Sequence, residues 1–107
     1  MYFHNPISRT PKELIPGIVA RTLWGQKMLM ALVDLDPNTL MPMHSHPHEQ
    51  VGIVIEGEIE FTIGEETRNL KPGDVYVIPG GVKHGAQTFG QPVKVMDVFS
   101  PVREEYK

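Results

Sequence analysis

Turn-forming residues interrupt this sequence at short intervals, which limits the chain to short elements of secondary structure. Ten glycines and ten prolines fall among its 107 residues, well above the share of about 12% that the two make up in average proteins. The segments between them are rich in β-branched and apolar residues, and none keeps the 3.6-residue period of an amphipathic helix. The sequence therefore predicts many short strands joined by tight turns.

Nine β-rich runs can be assigned after the N-terminal segment. Several alternate between polar and apolar residues, as residues 58–63 do, which is typical of a strand with one buried face. The predicted runs are 18–24, 27–34, 40–45, 50–55, 58–63, 67–70, 74–78, 84–88 and 93–99. So many short strands with tight connections predict an all-β domain, either a sandwich or a small closed barrel, with little or no helix.

A chain of this length fits one domain, and no composition shift or low-complexity tract divides it. We assign residues 1–17 to a lead-in arm, residues 18–100 to a β-barrel and residues 101–107 to a C-terminal tail. Closely spaced prolines leave room in the arm for at most one helical turn, at residues 12–15.

Composition excludes several classes of function. The chain has no cysteine, which rules out disulfides, thiolate metal sites and a cysteine nucleophile. Its formal net charge is −3 with no basic run, so nucleic acid is not an expected partner. No apolar stretch approaches the ~20 residues that cross a bilayer, so no membrane partner is expected. The N-terminus lacks the features of a signal peptide, and we expect a cytoplasmic protein.

Three histidines within five positions form the most distinctive local feature. His44 and His46 are two residues apart, so on a strand they project from the same face. Two neutral imidazoles converging on one point suit a divalent transition metal. A solvated polar loop explains the His44, His46 and His48 cluster equally well when it is taken alone.

A wider pattern favours the metal site. The first block consists of His44, His46, Gln50 and Gly57, and the second of Gly73, Pro79, Gly80, Gly81 and His84. These two blocks, with fifteen residues between them, resemble the paired motifs of the cupin superfamily. The resemblance implies a jelly-roll barrel, also called a double-stranded β-helix. It also implies one divalent ion (Zn, Ni, Mn or Fe) held by His44, His46, Gln50 and His84.

The first block departs from the usual pattern, which has Glu as its third ligand where this chain has Gln50. Glu49 is adjacent, but it breaks the spacing to Gly57 and points to the opposite strand face. Four neutral ligands leave the ion its full charge, which favours polarising an anionic substrate. His48 follows Pro47 in a bend and is interpreted as an entrance residue, with direct ligation as the alternative.

The end of the chain resembles a narrower group. The segment from Asp97 to Tyr106 is similar to the tail of the pectin-degradation cupins of the KdgF type, which also carry Gln as third ligand. The resemblance implies conversion of 4,5-unsaturated monouronates from pectin or alginate to linear 5-keto-4-deoxyuronate. It implies catalytic roles for Asp97, Arg103 and Phe99, and a small anionic sugar acid as the substrate.

Strand alternation supports a site at this end, because Asp97 shares a face with Val95 and Phe99 and should point into the cavity. The alternatives are a structural carboxylate at Asp97, a surface ion pair from Arg103 to Glu104 or Glu105, and a core position for Phe99.

Two further alternatives concern function, and one expectation concerns assembly. The same fold and metal fit another cupin enzyme, such as a dioxygenase or an isomerase, or a non-catalytic sugar- or metal-binding module. The opposite face of the last strand is apolar, and we expect it to serve a homodimer interface. On this strand the face consists of Met96 and Val98. We expect Met28, Met30 and Met41, from other parts of the chain, to contribute to the same interface.

Overall fold

The computed structural model describes residues 2–107 and contains ten strands in two antiparallel sheets. The strands are β1 (Lys12–Ile15), β2 (Ile18–Trp24), β3 (Leu29–Leu35), β4 (Leu40–His44), β5 (Glu49–Glu56), β6 (Ile59–Ile63), β7 (Glu66–Leu70), β8 (Val75–Ile78), β9 (His84–Gln87) and β10 (Val93–Ser100). The larger sheet has the order β1-β2-β3-β10-β5-β8, and the smaller has the order β4-β9-β6-β7. Two 3-10 helices, Pro6–Ser8 and Glu104–Tyr106, lie near the chain ends.

Strand β10 lies inside the larger sheet and positions the C-terminal site residues. It pairs with β3 on one side and with β5 on the other over most of its length. Every second residue of β10 is buried, from Val93 to Phe99, as the alternation of the sequence predicts. Apolar side chains of both sheets, such as Ile18 and Ile59, meet in one core. Asp97 therefore occupies a fixed place on a central strand, facing the interior.

The prediction of a small all-β jelly-roll barrel with little helix is confirmed. The helical turn predicted at residues 12–15 is wrong, because these residues form β1, which pairs antiparallel with β2. A four-residue segment between two prolines cannot nucleate a stable helix alone, whereas pairing with β2 satisfies its backbone groups. The first helical turn lies at Pro6–Ser8 instead, where the Asn5 side chain accepts a hydrogen bond from the Ile7 amide.

The outer face of the larger sheet carries most of the residues predicted for a subunit interface. Met96 and Val98 are half-buried there, and Met28 and Met30 are exposed. Met41 does not belong with them, because it lines the central cavity. The homodimer itself stays a prediction. Within residues 2–107, no helix has the length and apolar character that a membrane-spanning helix requires.

Gly57, which joins β5 to β6, provides a test of this architecture. It has a φ of +79°, and an added Cβ would collide with the carbonyl oxygen of Pro92 at the start of β10. Gly73 also has a positive φ, of +93°, but a Cβ added to it would meet no heavy atom within 4 Å. Gly73→Ala is therefore a matched control that isolates the effect of the collision.

We expect Gly73→Ala to lower the free energy of unfolding by about 1–2 kcal/mol, the cost of a left-handed conformation. Gly57→Ala should lower it by a further 1–3 kcal/mol or so, because the Pro92 backbone must move. Urea denaturation measures both values. Equal losses in the two variants would show that β5 and β10 do not approach each other as described.

Candidate metal centre

Three histidines from the two sequence blocks meet inside the barrel. His44 ends β4, His84 begins β9, and the two residues are register partners in the smaller sheet. His46 lies just after β4 and is buried. One ring nitrogen from each lies within 4.8 Å of those of the other two, which forms a group that could hold a metal ion.

Backbone carbonyl groups fix the orientation of all three rings. The Nδ1 atom of His44 lies 2.8 Å from the Pro42 oxygen, that of His46 lies 3.0 Å from the His48 oxygen, and that of His84 lies 2.9 Å from the Val82 oxygen. A carbonyl can only accept, so each Nδ1 carries the proton and each Nε2 presents a lone pair. This is the outer-shell arrangement that prepares histidines for a metal.

The Gln50 side chain points its oxygen at the same space. Gln50 is buried on β5, and its Oε1 lies 3.1 Å from Nε2 of His46. The side chain also hydrogen-bonds to Asp97, and an ionised carboxylate only accepts, so the Gln50 amide group donates there. Oε1 and the His46 Nε2 are then two acceptors facing each other. A cation between them resolves this contact, so the residues fit a divalent ion.

The titration behaviour of the rings agrees with this role. Burial lowers the pKa of His46 and His84, and the positive charge of Arg103 lowers that of His46 further. Both rings are therefore neutral at neutral pH, which is the form that binds a metal. Neutral nitrogen and amide-oxygen donors of this kind suit Zn, Ni, Mn and Fe alike.

Asp97 lies beside the histidine group in a row of three residues that crosses three strands. In the register of the larger sheet, Asp97 of β10 stands opposite Gly52 of β5, which stands opposite Tyr76 of β8. The Tyr76 hydroxyl donates a 2.5 Å hydrogen bond to Oδ1 of Asp97. A Cβ on Gly52 would collide with both groups. Because Gly52 has no side chain, the Tyr76 hydroxyl can cross β5 and reach the Asp97 carboxylate.

Burial governs the protonation of this pair. It raises the pKa of Asp97 to about 6, against the hydrogen bonds from Tyr76 and Gln50, which favour the charged form. Burial also raises the pKa of the Tyr76 hydroxyl, and the neighbouring charge of Asp97 adds to this, so Tyr76 stays protonated and donates. Sequence reasoning assigned Tyr76 no role, because its contact depends on the register of three strands.

Arg103 and Phe99 line the cavity together with His44, His84 and Asp97. The Arg103 guanidinium lies 5.2 Å from the centroid of the Phe99 ring and 3.9 Å from that of Tyr106. Only 12% of the Arg103 side chain is exposed, and its Nε lies 3.6 Å from Oε1 of Glu105. Arg103 therefore both lines the cavity and forms an ion pair with Glu105, one of the two partners considered from the sequence. Tyr106, which carried no predicted role, stacks on Arg103.

The cavity has two parts. The inner part, between the sheets, has a volume of about 60 Å³ and is lined by His44, His84 and Asp97, among others. It shares residues with an outer depression of about 360 Å³ that β1 and the C-terminal segment border. The residues common to both parts are Leu14, Met41, His44, Arg103 and Tyr106. The two parts therefore adjoin at His44 and Arg103.

Two sequence alternatives lie outside the group. Glu49 is exposed, whereas Gln50 is buried and faces the rings, as the strand parity predicts. His48 does not join the three-histidine group, and its ring centroid lies 5.8 Å from that of His46. Its backbone oxygen orients His46, while its own Nδ1 is buried without a hydrogen-bond partner.

Comparison with known proteins gives consistent matches. The family described as Cupin domain matches residues 31–99. The pectin degradation protein KdgF of Dickeya dadantii is 30% identical over 97 residues, which make up 89% of this chain and 88% of that protein.

Solved structures extend these matches to the whole fold. The KdgF structure from a Halomonas species superposes with a TM-score of 0.90 at 29% identity, covering 98% of this chain and 99% of that one. An RmlC-like cupin from Shewanella frigidimarina superposes with a TM-score of 0.92 at 25% identity, covering 100% of this chain and 96% of that one.

The histidine group predicts one divalent ion per chain. We expect His84→Ala to remove most of the bound metal, because it deletes one of three converging imidazoles, with affinity falling by at least about tenfold. His48→Ala should keep the metal, since its ring lies outside the group and only its backbone oxygen orients His46. Elemental analysis after dialysis measures the metal content. Loss of metal from His48→Ala alone would contradict this ligand set.

The contact between Gln50 and Asp97 predicts a reciprocal exchange. Gln50→Glu places two carboxylates together in the interior, and we expect it to lower the free energy of unfolding by about 3 kcal/mol in the metal-free protein. In the double variant Gln50→Glu with Asp97→Asn, the Asn amide group can again donate a hydrogen bond to the Glu carboxylate. We expect the double variant to regain at least about 1 kcal/mol of the lost free energy of unfolding, measured as the coupling energy between the two positions. Urea denaturation in chelator at pH 7 measures the cycle, and strictly additive effects would contradict the contact.

Proposed function

This chain belongs to the cupin family, and on that premise we propose that it is a metal-dependent enzyme acting on 4,5-unsaturated monouronates. The product is linear 5-keto-4-deoxyuronate. One observation carries the proposal: Asp97, Arg103 and two of the three histidines, His44 and His84, line one cavity. The KdgF proteins of Dickeya and Halomonas, the first a pectin degradation protein by name, support the substrate class.

The reaction is an isomerisation and needs no second reactant. The bond between C1 and the ring oxygen breaks as the C1 hydroxyl loses its proton, which leaves an aldehyde at C1. The former ring oxygen stays on C5 as an enol. The enol then becomes a ketone when C4 gains a proton and the oxygen loses one. Two proton transfers therefore take place, and the site must supply a group that mediates them.

Asp97 is the group that we assign to proton transfer. It is the carboxylate of the inner cavity, and its Oδ1 is held by the Tyr76 hydroxyl, which fixes the carboxyl plane. Burial disfavours its negative charge, so a proton taken from the substrate oxygen can be held and returned to C4. Gln50 stands between Asp97 and the histidines and keeps the carboxylate beside the ligand set.

His44, His46, His84 and Gln50 would hold a divalent ion, which would supply Lewis acidity toward the negative charge that develops on the substrate.

Arg103 and Phe99 are assigned to substrate binding. The guanidinium fork matches a carboxylate in two parallel hydrogen bonds. It stands where the inner cavity meets the outer depression. The inner space, about 60 Å³, is much smaller than the outer depression, about 360 Å³. The reacting end therefore lies inward, and the rest of the sugar occupies the outer depression against apolar side chains.

The proposal predicts conversion of unsaturated monouronates made from pectin or from alginate by the metal-loaded protein. The measurement is the loss of ultraviolet absorbance of the conjugated alkene, compared with the spontaneous rate in buffer. We expect chelator to abolish the excess rate and Asp97→Asn to lower it by about 10²-fold or more. Asp34→Asn, which changes an exposed carboxylate on the outer sheet face, should leave the rate unchanged.

A rate equal to the spontaneous one with both substrates would overturn the uronate assignment. The metal content of the same sample then separates the remaining candidates. A bound ion without conversion leaves another cupin enzyme or a binding module, whereas absence of metal contradicts the centre itself.

A further inference from the structure

We propose that Lys12 of β1 is a positioning residue for the site. It holds the C-terminal segment in the place where Arg103 faces the cavity. The inference rests on the proposed function in one respect, because it takes Arg103 as the group that binds the substrate carboxylate. The C-terminal segment is defined here as residues 101–107.

The C-terminal segment has little structure of its own to hold it. It follows β10 and contains only the three-residue 3-10 helix Glu104–Tyr106, with one backbone hydrogen bond from Tyr106 to Arg103 and one from Lys107 to Glu104. No strand pairs with it in the part of the chain that the structure describes. So short a helix is marginal by itself, and its position depends on side-chain contacts.

Those contacts come from β10 and from the N-terminal strands. The Tyr106 ring packs edge-on against the Phe99 ring of β10, with 5.4 Å between the ring centroids. The Lys12 ammonium on β1 donates to the main-chain oxygens of Glu105, at 2.7 Å, and of Lys107, at 2.9 Å. The Thr22 hydroxyl on β2 donates to the Tyr106 oxygen at 2.5 Å. Three successive main-chain oxygens of the segment are thus held from β1 and β2. Lys12 supplies the two charge-assisted bonds, the stronger kind.

Arg103 depends on the position of this segment. Its guanidinium lies against both the Phe99 ring of β10, which is fixed in the core, and the Tyr106 ring of the segment, and these two rings also contact each other. The Arg103 Nε is buried without a hydrogen-bond partner, and the carboxylate that pairs with it, that of Glu105, also belongs to the segment. If residues 104–107 detach, Arg103 loses its contacts with Tyr106 and Glu105. A long arginine side chain then samples many rotamers.

Lys12 also borders the outer depression, so direct contact between Lys12 and the substrate is the rival explanation. The two explanations differ in the free protein. Positioning predicts a change in the C-terminal segment before any ligand is added, whereas direct contact predicts none.

The test compares three variants of the full chain. Lys12→Met removes the charge and keeps the length of the side chain, and Lys12→Arg keeps two donors. Lys71→Met changes an exposed lysine that lines neither part of the cavity. In the ligand-free protein, NMR hydrogen exchange at the Tyr106 and Lys107 amides reports the segment. The Nε–H resonance of Arg103, shifted by the Phe99 and Tyr106 rings, reports the stack.

We expect Lys12→Met to speed amide exchange at Tyr106 and Lys107 about tenfold, as the loss of one bond to a charged group predicts. It should also move the Arg103 resonance toward its free position. KM for the unsaturated uronate should rise about tenfold, with kcat within about twofold and unchanged metal content. Lys12→Arg should restore most of these values, and Lys71→Met should leave them unchanged.

Each contrary result is decisive. A raised KM with unchanged exchange would show that Lys12 contacts the substrate directly. Faster exchange with an unchanged Arg103 resonance would show that the segment does not position Arg103. Both outcomes overturn the inference. If no uronate is converted by the unaltered protein, the proposed function fails, while the exchange and resonance measurements still decide the role of Lys12.

Discussion

Four side chains direct electron-pair donors into one space inside this barrel, an arrangement that suits a positive charge. Three are imidazoles whose other nitrogen faces a backbone carbonyl, and the fourth is Gln50. Gln50 also hydrogen-bonds to Asp97 and lowers the pKa of that carboxyl. A glutamate at position 50 would repel the Asp97 carboxylate. The neutral Gln50, in place of the usual Glu, is therefore compatible with a buried carboxylate at Asp97.

The sequence was most informative wherever the relevant physics is local. Alternation along one strand was sufficient to place Asp97 inward on β10 and to prefer Gln50 over Glu49, since parity needs no knowledge of neighbouring strands. The role of Tyr76 could not be predicted from the sequence, because its contact with Asp97 depends on which residues are register partners across β5. The error at residues 12–15 is similar: pairing with β2 decides the structure there, and local propensity does not.

The two ends of the chain together form the entrance to the site. Strand β1 and the C-terminal segment border the outer depression, while the histidine group lies on the barrel strands and the turn after β4. The histidine group and Asp97 sit on paired strands or next to them, where local opening is costly. Arg103 sits on a short segment held mainly by side-chain contacts, so it can move without disturbing the histidine group.

Gly52 has an implication for how such a site can diverge. Because Tyr76 crosses β5 above a residue with no side chain, positions 52, 76 and 97 form a single unit across three strands. Any larger residue at position 52 displaces the phenol, the carboxylate or both. Among descendants of a common ancestor, these three positions are therefore constrained to change together. A lineage that loses the contact between Tyr76 and Asp97 is free to place a larger residue at position 52, whereas one that retains the contact is not.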